Sequence, residues 1–165
     1  MRAPQISIVI PLYNESETFF FLVKRLEEVM RKTDLAIEVV MIDDGSKDDT
    51  ALKIKQLALV DERFHGVFLS RNHGHQLALT AGIAAAKGTE ALFVIDGDLQ
   101  DPPELLMDFY KLLQEGNDVI YAIRKKRKEG VVKKTAYFLF YRILKSISYI
   151  DMPMDSGDFA MISRR

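Results

Sequence analysis

Apolar and polar positions change their spacing regularly along the chain, and this change predicts alternating strands and helices. Short runs rich in β-branched residues predict strands at residues 5–11, 37–42, 67–69, 91–95 and 119–123. Apolar residues three or four positions apart predict helices at about residues 19–30, 48–60, 76–87 and 102–115. Such alternation is typical of an α/β fold with a mostly parallel sheet, right-handed crossovers and helices on both faces.

The last quarter of the chain has a different character. Residues 124–134 are strongly basic, and residues 136–144 are rich in aromatic side chains. The aromatic stretch fits either a helix that faces the core or an amphipathic helix at a membrane surface, with the basic run beside anionic headgroups. Residues 154–162 predict a loop that enters a last strand. The sequence then stops without a closing helix, as in a fragment of a longer protein.

Composition excludes several classes of protein. The 165 residues are enough for one domain with a core, and 48% hydrophobic and 28% charged residues are ordinary globular usage. The formal net charge of −1 gives no indication of nucleic-acid binding. The sequence has no cysteine, which excludes a disulfide scaffold and thiolate-bound zinc. It contains no apolar run of about eighteen residues or more, the length needed to span a bilayer.

Carboxylates follow two of the predicted strands. Asp96 and Asp98 come after the apolar run at residues 91–95, and Asp43 and Asp44 end the run at 37–42. The carboxyl ends of parallel strands are where open α/β sheets bind ligands. Two carboxylates there can share one Mg²⁺ or Mn²⁺, which prefers oxygen ligands and keeps positions open for substrate phosphates. The two pairs together suggest a nucleotide held across this edge, with one pair near the base or ribose and the other near metal and diphosphate.

The residues around Asp98 have simpler interpretations as well. Asp96 and Asp98 could merely cap a turn. Gln100 adds a neutral oxygen within reach of a metal. Asp101 is predicted to be the N-cap of the following helix, with Pro102 at its first position.

Two common phosphate-binding motifs are missing from the sequence. No Gly-x-Gly-x-x-Gly follows the first predicted strand, and no Gly-x4-Gly-Lys-Ser/Thr is present, so a dinucleotide site and a P-loop are not expected. A diphosphate would instead be neutralised by metal and by basic side chains. Arg71 and the cluster at residues 124–127 are the candidates.

Four motifs occur in an order that matches a known enzyme family. They are Pro11-Leu12-Tyr13-Asn14-Glu15, Asp43-Asp44-Gly45-Ser46-x-Asp48, Asp96-Gly97-Asp98-Leu99-Gln100-Asp101-Pro102 and Ser156-Gly157-Asp158-Phe159. Together with Leu69-Ser70-Arg71-Asn72 they resemble glycosyltransferase family 2, and within it the polyprenyl-phosphate branch. That branch contains dolichol-phosphate mannose synthases and bacterial undecaprenyl-phosphate glucosyltransferases. The resemblance covers nearly the whole chain and implies the GT-A nucleotide-sugar fold.

The resemblance implies a role for each matching residue. By resemblance, the donor would be bound by Arg71 and by residues at the strand ends: Pro11, Tyr13, Glu15, Asp43, Asp44, Asp96 and Gln100. The metal site would be Asp96, Asp98 and Gln100. The catalytic group would be Asp98, Arg124, Arg127 and Asp158, with the two arginines near donor and acceptor phosphates. The acceptor-side loop would be Ser156, Gly157 and Asp158. His73 and His75 are interpreted as non-catalytic.

The implied activity is inverting transfer of a sugar from a nucleotide diphosphate to a lipid phosphate, with Mg²⁺ or Mn²⁺ as cofactor. A UDP-glucose-like donor is favoured over GDP-mannose. The resemblance implies one GT-A domain, with residues 1–123 binding the nucleotide sugar and residues 124–165 forming a basic, aromatic acceptor side. It also implies a place at the cytoplasmic side of a membrane, peripheral or anchored through segments outside this sequence. A homo-oligomer stays open.

Three other interpretations remain. A family 2 enzyme that glycosylates a sugar hydroxyl in surface polysaccharide synthesis would share the donor site. A nucleotide-binding protein without turnover would keep the same acids. A signalling receiver domain also places acids and Mg²⁺ at strand ends, but it needs an aspartate after the third strand, where this sequence has Leu69-Ser70-Arg71.

Overall fold

The computed structural model describes residues 3–123 and 156–165, and the predicted alternation of strands and helices is present in them. The strands are β1 (Ile6–Leu12), β2 (Ile37–Asp43), β3 (Phe64–Phe68), β4 (Ala91–Val94), β5 (Val119–Ile123) and β6 (Ser156–Ser163). The helices are α1 (Phe19–Arg31), α2 (Thr50–Val60), α3 (His75–Ala85) and α4 (Leu106–Gln114), and a 3₁₀ turn at Pro103–Leu105 precedes α4.

The third strand lies earlier than predicted. It was expected at residues 67–69, whereas β3 begins at Phe64 and ends at Phe68. The cause is its place in the sheet, since β3 is an edge strand. An edge strand is partly exposed, so it tolerates His65 and Gly66. These two residues interrupt the apolar pattern, so the first part of the strand was not recognised in the sequence.

The six strands form one sheet in the order β3-β2-β1-β4-β6-β5. The pairs β1–β2, β1–β4 and β2–β3 are parallel. Strand β6 runs antiparallel to β4, with Ala91 opposite Ser163 and Val94 opposite Ala160. The prediction of a mostly parallel sheet in an α/β fold is therefore confirmed.

Helices pack on both faces of the sheet. Successive residues of a strand point to opposite faces, and in β4 the side chains on both faces are apolar, so each face is covered by a helix. Leu92 and Val94 of β4 share a buried cluster with Ala78 and Leu79 of α3. Between them, Phe93 faces the other way, and its ring lies 5.5 Å from that of Phe109 in α4. Helix α1 is amphipathic as its spacing predicts, and all five apolar positions of the pattern are buried: Phe19, Leu22, Leu26, Val29 and Met30.

Contacts divide the chain into two units, Met1–Ile120 with Asp158–Arg165, and Tyr121–Gly157. The predicted division at residue 123 stays a prediction. The basic and aromatic stretches, with Arg124 and Arg127, lie outside the described residues. In the part of the chain that the structure describes, no helix combines the length and apolar character needed to cross a bilayer.

Candidate active site

A cleft of about 450 Å³ lies at the carboxyl ends of the three parallel strands β1, β2 and β4. Each strand and the loop after it contribute to the lining. The first strand brings Pro11, Leu12, Tyr13 and Glu15, the second Asp44, the β3–α3 connection and α3 bring Asn72, Gly74, His75 and Ala78, and the fourth strand brings Asp96, Gly97 and Asp98. Six residues predicted from the sequence are thus gathered in one cavity: Pro11, Tyr13, Glu15, Asp44, Asp96 and Asp98.

Asp44 is fixed in the cleft wall by backbone donors. Its side chain is buried, and its two oxygens accept hydrogen bonds from the backbone N–H of His73 (2.7 Å) and of Gly74 (2.9 Å). Its own N–H donates to the carbonyl of Leu12 at 2.9 Å. A buried carboxylate needs such partners to offset its desolvation. The loop after β3 is therefore attached to the end of β2 through Asp44.

Gly45 lets that loop approach closely. Its φ of +68° lies in the left-handed region, which favours glycine. A Cβ at this position would lie 2.6 Å from Cα of Arg71 and 2.7 Å from N of Asn72, both backbone atoms. No side chain fits there without moving the loop that holds Asp44.

Several hydrogen bonds join the loop after β1 to the residues at the start of α2. Asn14 N donates to Ser46 Oγ (2.9 Å), and Lys47 N donates back to Asn14 Oδ1 (2.8 Å). The backbone N–H of Glu15 donates to Thr50 Oγ1 (2.9 Å), and that of Ser16 donates to Asp48 Oδ2 (3.0 Å). This loop carries Tyr13, which lines the cleft and is 39% exposed, so it is not a core aromatic.

Asp48 is the charged member of this junction. Burial tends to raise the pKa of its carboxyl, but hydrogen bonds from the hydroxyl and N–H of Thr50 and from the N–H of Ser16 outweigh burial and lower the pKa to about 2. Asp48 therefore accepts these bonds as an anion at neutral pH.

The loop after β4 has an unusual backbone conformation directly after Asp98. The next residue, Leu99, has a φ of 67° although it is not glycine, and such strain is common at functional sites. Two contacts stabilise the turn: Asp98 Oδ1 accepts from the N–H of Gln100 (3.0 Å), and Leu99 O accepts from Arg25 Nη1 (3.2 Å). Arg25 is itself held by two bonds to the carboxylate of Glu104, at 2.8 and 2.6 Å.

Asp96 lies among other acids. Burial raises the pKa of its carboxyl, and the negative charges of Asp101, Asp98 and Asp158 raise it further, while His75 opposes them. The N-cap prediction for Asp101 was wrong. No side chain caps the 3₁₀ turn, which begins one residue later than expected, and Asp101 Oδ2 instead accepts from the N–H of Asp96 at 3.1 Å. Asp101 therefore stabilises the loop that carries Asp96 and Asp98.

His75 connects this acidic group to β6. Its Nε2 lies 2.8 Å from Asp158 Oδ2 and 3.8 Å from Asp96 Oδ1. The adjacent Gln76 donates from Nε2 to the same Asp158 oxygen at 3.1 Å. Sequence reasoning missed this contact, because 83 residues separate His75 and Asp158 in the chain. The available signal was a polar pair placed directly after Gly74, at a helix start on the ligand-binding edge.

The chain is similar to known proteins over nearly its whole length. The sequence model described as "Glycosyl transferase family 2" matches residues 7–165. The chain belongs to that family. The prediction of family and enzyme class is therefore confirmed.

Two curated relatives and one solved structure illustrate the similarity. The "Uncharacterized glycosyltransferase YkcC" of Bacillus subtilis (strain 168) is 44% identical over 165 residues, covering 99% of this chain and 51% of the relative. The "Prophage bactoprenol glucosyl transferase homolog" of Escherichia coli (strain K12) is 35% identical over 161 residues, covering 97% and 52%. This family 2 glycosyltransferase thus spans about half the length of the curated relatives it matches.

The solved structure confirms the GT-A fold. The mannosyltransferase PcManGT from Pyrobaculum calidifontis, in complex with GDP-Man and Mn²⁺, superimposes with a TM-score of 0.66. It is 19% identical, and the match covers 99% of this chain and 46% of that one. That relative binds a nucleotide sugar and a divalent metal.

The residues of this glycosyltransferase fit a divalent metal only with help from a ligand. Asp96 and Asp98 offer carboxylates to the cleft. Across residues 3–123 and 156–165, no three His, Asp or Glu side chains form a cluster that could hold a metal alone. Mg²⁺ is commonly held by one or two carboxylates plus substrate phosphates. The site therefore fits a metal that arrives with a diphosphate.

Other predicted residues lie elsewhere or are not described. Asp43, Arg71 and Gln100 are not in the lining of the cleft, and the Asp43 carboxylate accepts from the N–H of Ser46 at 3.3 Å. Ser156 and Gly157 begin β6, directly before Asp158. Arg124 and Arg127 lie outside the described residues. The roles assigned to all of the predicted site residues stay predictions, both for those that line the cleft and for Asp43, Arg71, Gln100, Ser156, Gly157, Asp158, Arg124 and Arg127.

Proposed function

We propose that this chain is the donor-binding catalytic part of an inverting, metal-dependent glycosyltransferase. It transfers a hexose from a nucleotide-diphosphate sugar to a polyprenyl phosphate, for synthesis of cell-envelope glycans. UDP-glucose is the favoured donor and GDP-mannose the alternative. The observation that carries the proposal is the convergence of Asp44, Asp96 and Asp98 on one cleft at the carboxyl ends of parallel strands.

The proposed roles follow the two ends of the cleft. At one end, Tyr13, Glu15 and Asp44 offer an aromatic surface and acceptors for the base and ribose. At the other end, Asp96 and Asp98 hold Mg²⁺ or Mn²⁺ with the diphosphate. Gln100, next to Asp98, adds an oxygen on the metal side, and Arg71 and Arg124 offer positive charge to the diphosphate.

The similarity to a bactoprenol glucosyl transferase homolog supports a lipid phosphate as acceptor. The enzyme would then work at the cytoplasmic side of a membrane. Its curated relatives are about twice as long as this chain, so membrane attachment through segments outside this sequence is part of the proposal.

The reaction is a direct displacement at the anomeric carbon. An acceptor phosphate oxygen attacks this carbon from the face opposite the diphosphate, the bond to the diphosphate oxygen breaks, and the nucleoside diphosphate leaves with the bonding electrons. A bound divalent metal would stabilise the charge on this leaving group. A phosphate is already ionised at pH 7, with a second pKa of about 6, so it needs no general base.

A second candidate is transfer to a sugar hydroxyl. The observation that favours it is the carboxylate of Asp158, which lies beside the cleft next to His75, because a hydroxyl acceptor needs a general base. Transfer of labelled glucose to undecaprenyl phosphate, and none to an oligosaccharide, would decide for the lipid acceptor. The reverse result would decide for the hydroxyl.

Ligand-induced stabilisation tests the donor site. We expect UDP to raise the melting temperature when Mn²⁺ or Mg²⁺ is present, and GDP to raise it less. A ligand at one hundred times its dissociation constant adds about 2.7 kcal/mol, which is roughly 5–10 °C for a domain of this size. Asp98→Asn should abolish the metal-dependent part of the shift.

The matched control is Asp34→Asn, which changes an exposed acid just before β2, at the opposite edge of the sheet. UDP with Mn²⁺ or Mg²⁺ should raise the melting temperature of this variant as much as that of the wild type. Equal stabilisation of Asp98→Asn and wild type by UDP with Mn²⁺ would refute the metal assignment. No stabilisation by either nucleotide would refute the donor site.

A further inference from the structure

One short segment holds an acid on each side of the cleft. The backbone N–H groups of His73 and Gly74 bind Asp44, at the end of β2. The side chains of the next two residues, His75 and Gln76, both contact Asp158 Oδ2, at the start of β6. Residues 73–76, at the end of the β3–α3 loop and the start of α3, therefore set the position of both carboxylates.

The contacts to Asp158 are not needed to hold β6 in the sheet. The ladder to β4 does this, from Ala91–Ser163 to Val94–Ala160. Next to Asp158, the buried ring of Phe159 packs 5.4 Å from Phe93 and 5.1 Å from Phe109. The side chains of His75 and Asp158 are both 40% exposed, and an exposed pair of this kind contributes little stability.

Without these contacts the Asp158 side chain would turn away from the cleft. Asp96 lies on the same side, its Oδ1 only 3.8 Å from the His75 nitrogen that binds Asp158. Oxygens of both carboxylates lie within 3.8 Å of the same His75 nitrogen, so the two acids are close enough to repel each other. The Gln76 N–H, which donates to Asp158 Oδ2, and the His75 nitrogen 2.8 Å from the same oxygen offset this repulsion and restrict the side chain.

We propose that His75 and Gln76 are positioning residues, which hold the Asp158 carboxylate beside Asp96 at the acceptor side of the cleft, so that transfer depends on its position. The inference rests on the proposed function and adds the two residues that orient its acceptor side. It separates the cleft into a donor part that does not need the His75 side chain and an acceptor part that does.

Transfer kinetics test the proposal. Glucose transfer from UDP-glucose to undecaprenyl phosphate in detergent is measured for His75→Ala and Gln76→Ala, together with the dissociation constant of UDP in Mn²⁺. We expect kcat/KM for the acceptor to fall about 10- to 100-fold, since small displacements of a reacting group cost this much. The UDP dissociation constant should change less than about twofold. His75→Gln keeps an N–H donor and should recover most of the activity.

The chain supplies a matched control and an internal check. His73→Ala removes a neighbouring imidazole while leaving the N–H that binds Asp44, and it should behave as the wild type does. Once Asp158 is replaced by alanine, His75→Ala should cost nothing further, because the two act as a unit. Additive losses in the double variant, or a loss of UDP binding equal to the loss of transfer, would overturn the proposal.

NMR of the histidine side chains tests the contact between His75 and Asp158 and does not require enzymatic activity. The protein has three histidines, so each nitrogen signal can be assigned. Asp158→Ala should shift the Nε2 signal of His75 and leave those of His65 and His73 unchanged. An unchanged His75 signal would overturn the proposal. If the wild type binds no nucleotide, the donor assignment fails, and the spectrum still decides whether His75 holds Asp158.

Discussion

At the scale of single residues, Gly45 decides whether the donor side of the cleft can form. Gly45→Ala adds a methyl group against the backbone of Arg71 and Asn72 in a left-handed conformation. We expect it to lower the free energy of unfolding by about 2–4 kcal/mol, the range for combined strain and overpacking. Urea denaturation measures this, and UDP binding should weaken as well, because the displaced loop carries the two N–H groups that bind Asp44.

A substitution at Gly116 distinguishes the cost of backbone strain from the cost of close contact. It also has a positive φ, +101°, but a Cβ there would meet nothing within 4 Å. Gly116→Ala should cost only about 1 kcal/mol, the conformational part alone, and should leave UDP binding unchanged. If both substitutions cost the same, close packing at Gly45 is not the reason that glycine occupies this position.

At the scale of elements, Asp48 makes the junction between the β1 loop and α2 sensitive to acid. Its pKa in the folded state is about 2, below the ordinary value of 3.8. A depressed pKa contributes stability above the ordinary value, and this contribution is lost as the pH falls from about 4 towards 2. Because Asp48 is exposed, solvent screening limits the contribution to about 1 kcal/mol at most.

Asp48→Asn tests this junction. We expect the variant to be less stable than wild type at pH 7 and the difference to shrink as the pH falls below 4. Urea denaturation at pH 7, 4 and 3 measures it. Asp49→Asn, at the adjacent exposed position, is the control and should show no such pH dependence. A constant difference from pH 7 to pH 3 would contradict an ionic role for Asp48.

Sequence patterns predicted the elements well, because each pattern is set locally. The buried stripe of α1 and the acids after β2 and β4 could be read from spacing alone. The pattern could not distinguish Asp44, which lines the cleft, from Asp43, whose carboxylate accepts from the turn at Ser46. Both follow the same apolar run, and only the path of the loop separates them. Aspartate is a residue type that favours N-cap positions, but the carboxylate of Asp101 instead accepts from the backbone N–H of Asp96 in the same loop.

At the scale of the whole molecule, the sheet depends on its last strand. Strand β6 inserts between β4 and β5 although it comes last in the chain. Its own apolar pattern does not specify a partner, so neither its place nor its antiparallel direction could be predicted from the sequence. The contact between His75 and Asp158 was missed for the same reason.

Removal of residues 156–165 should prevent folding, although nearly all of the cleft residues remain. The deletion exposes the apolar edge of β4 and removes Phe159 from Phe93 and Phe109. Losing one buried phenylalanine alone costs about 3–5 kcal/mol, against a typical total of about 5–15 kcal/mol. Size-exclusion chromatography and circular dichroism should show aggregated or unfolded protein. A chain ending at Ser163 is the control and should fold, and a folded monomer lacking β6 would contradict the expectation.

The hydrogen bonds that join the β1 loop to the start of α2 have a consequence for ligand affinity. They fix the backbone around Tyr13 and Glu15 before any ligand arrives. Ordering a free loop on binding would cost about 1–2 kcal/mol of backbone conformational entropy per residue. In this glycosyltransferase that entropy is already lost on folding. On the proposed function, the affinity for a nucleoside would therefore reflect its direct contacts with the cleft, and each chemical change to the base would report on one contact.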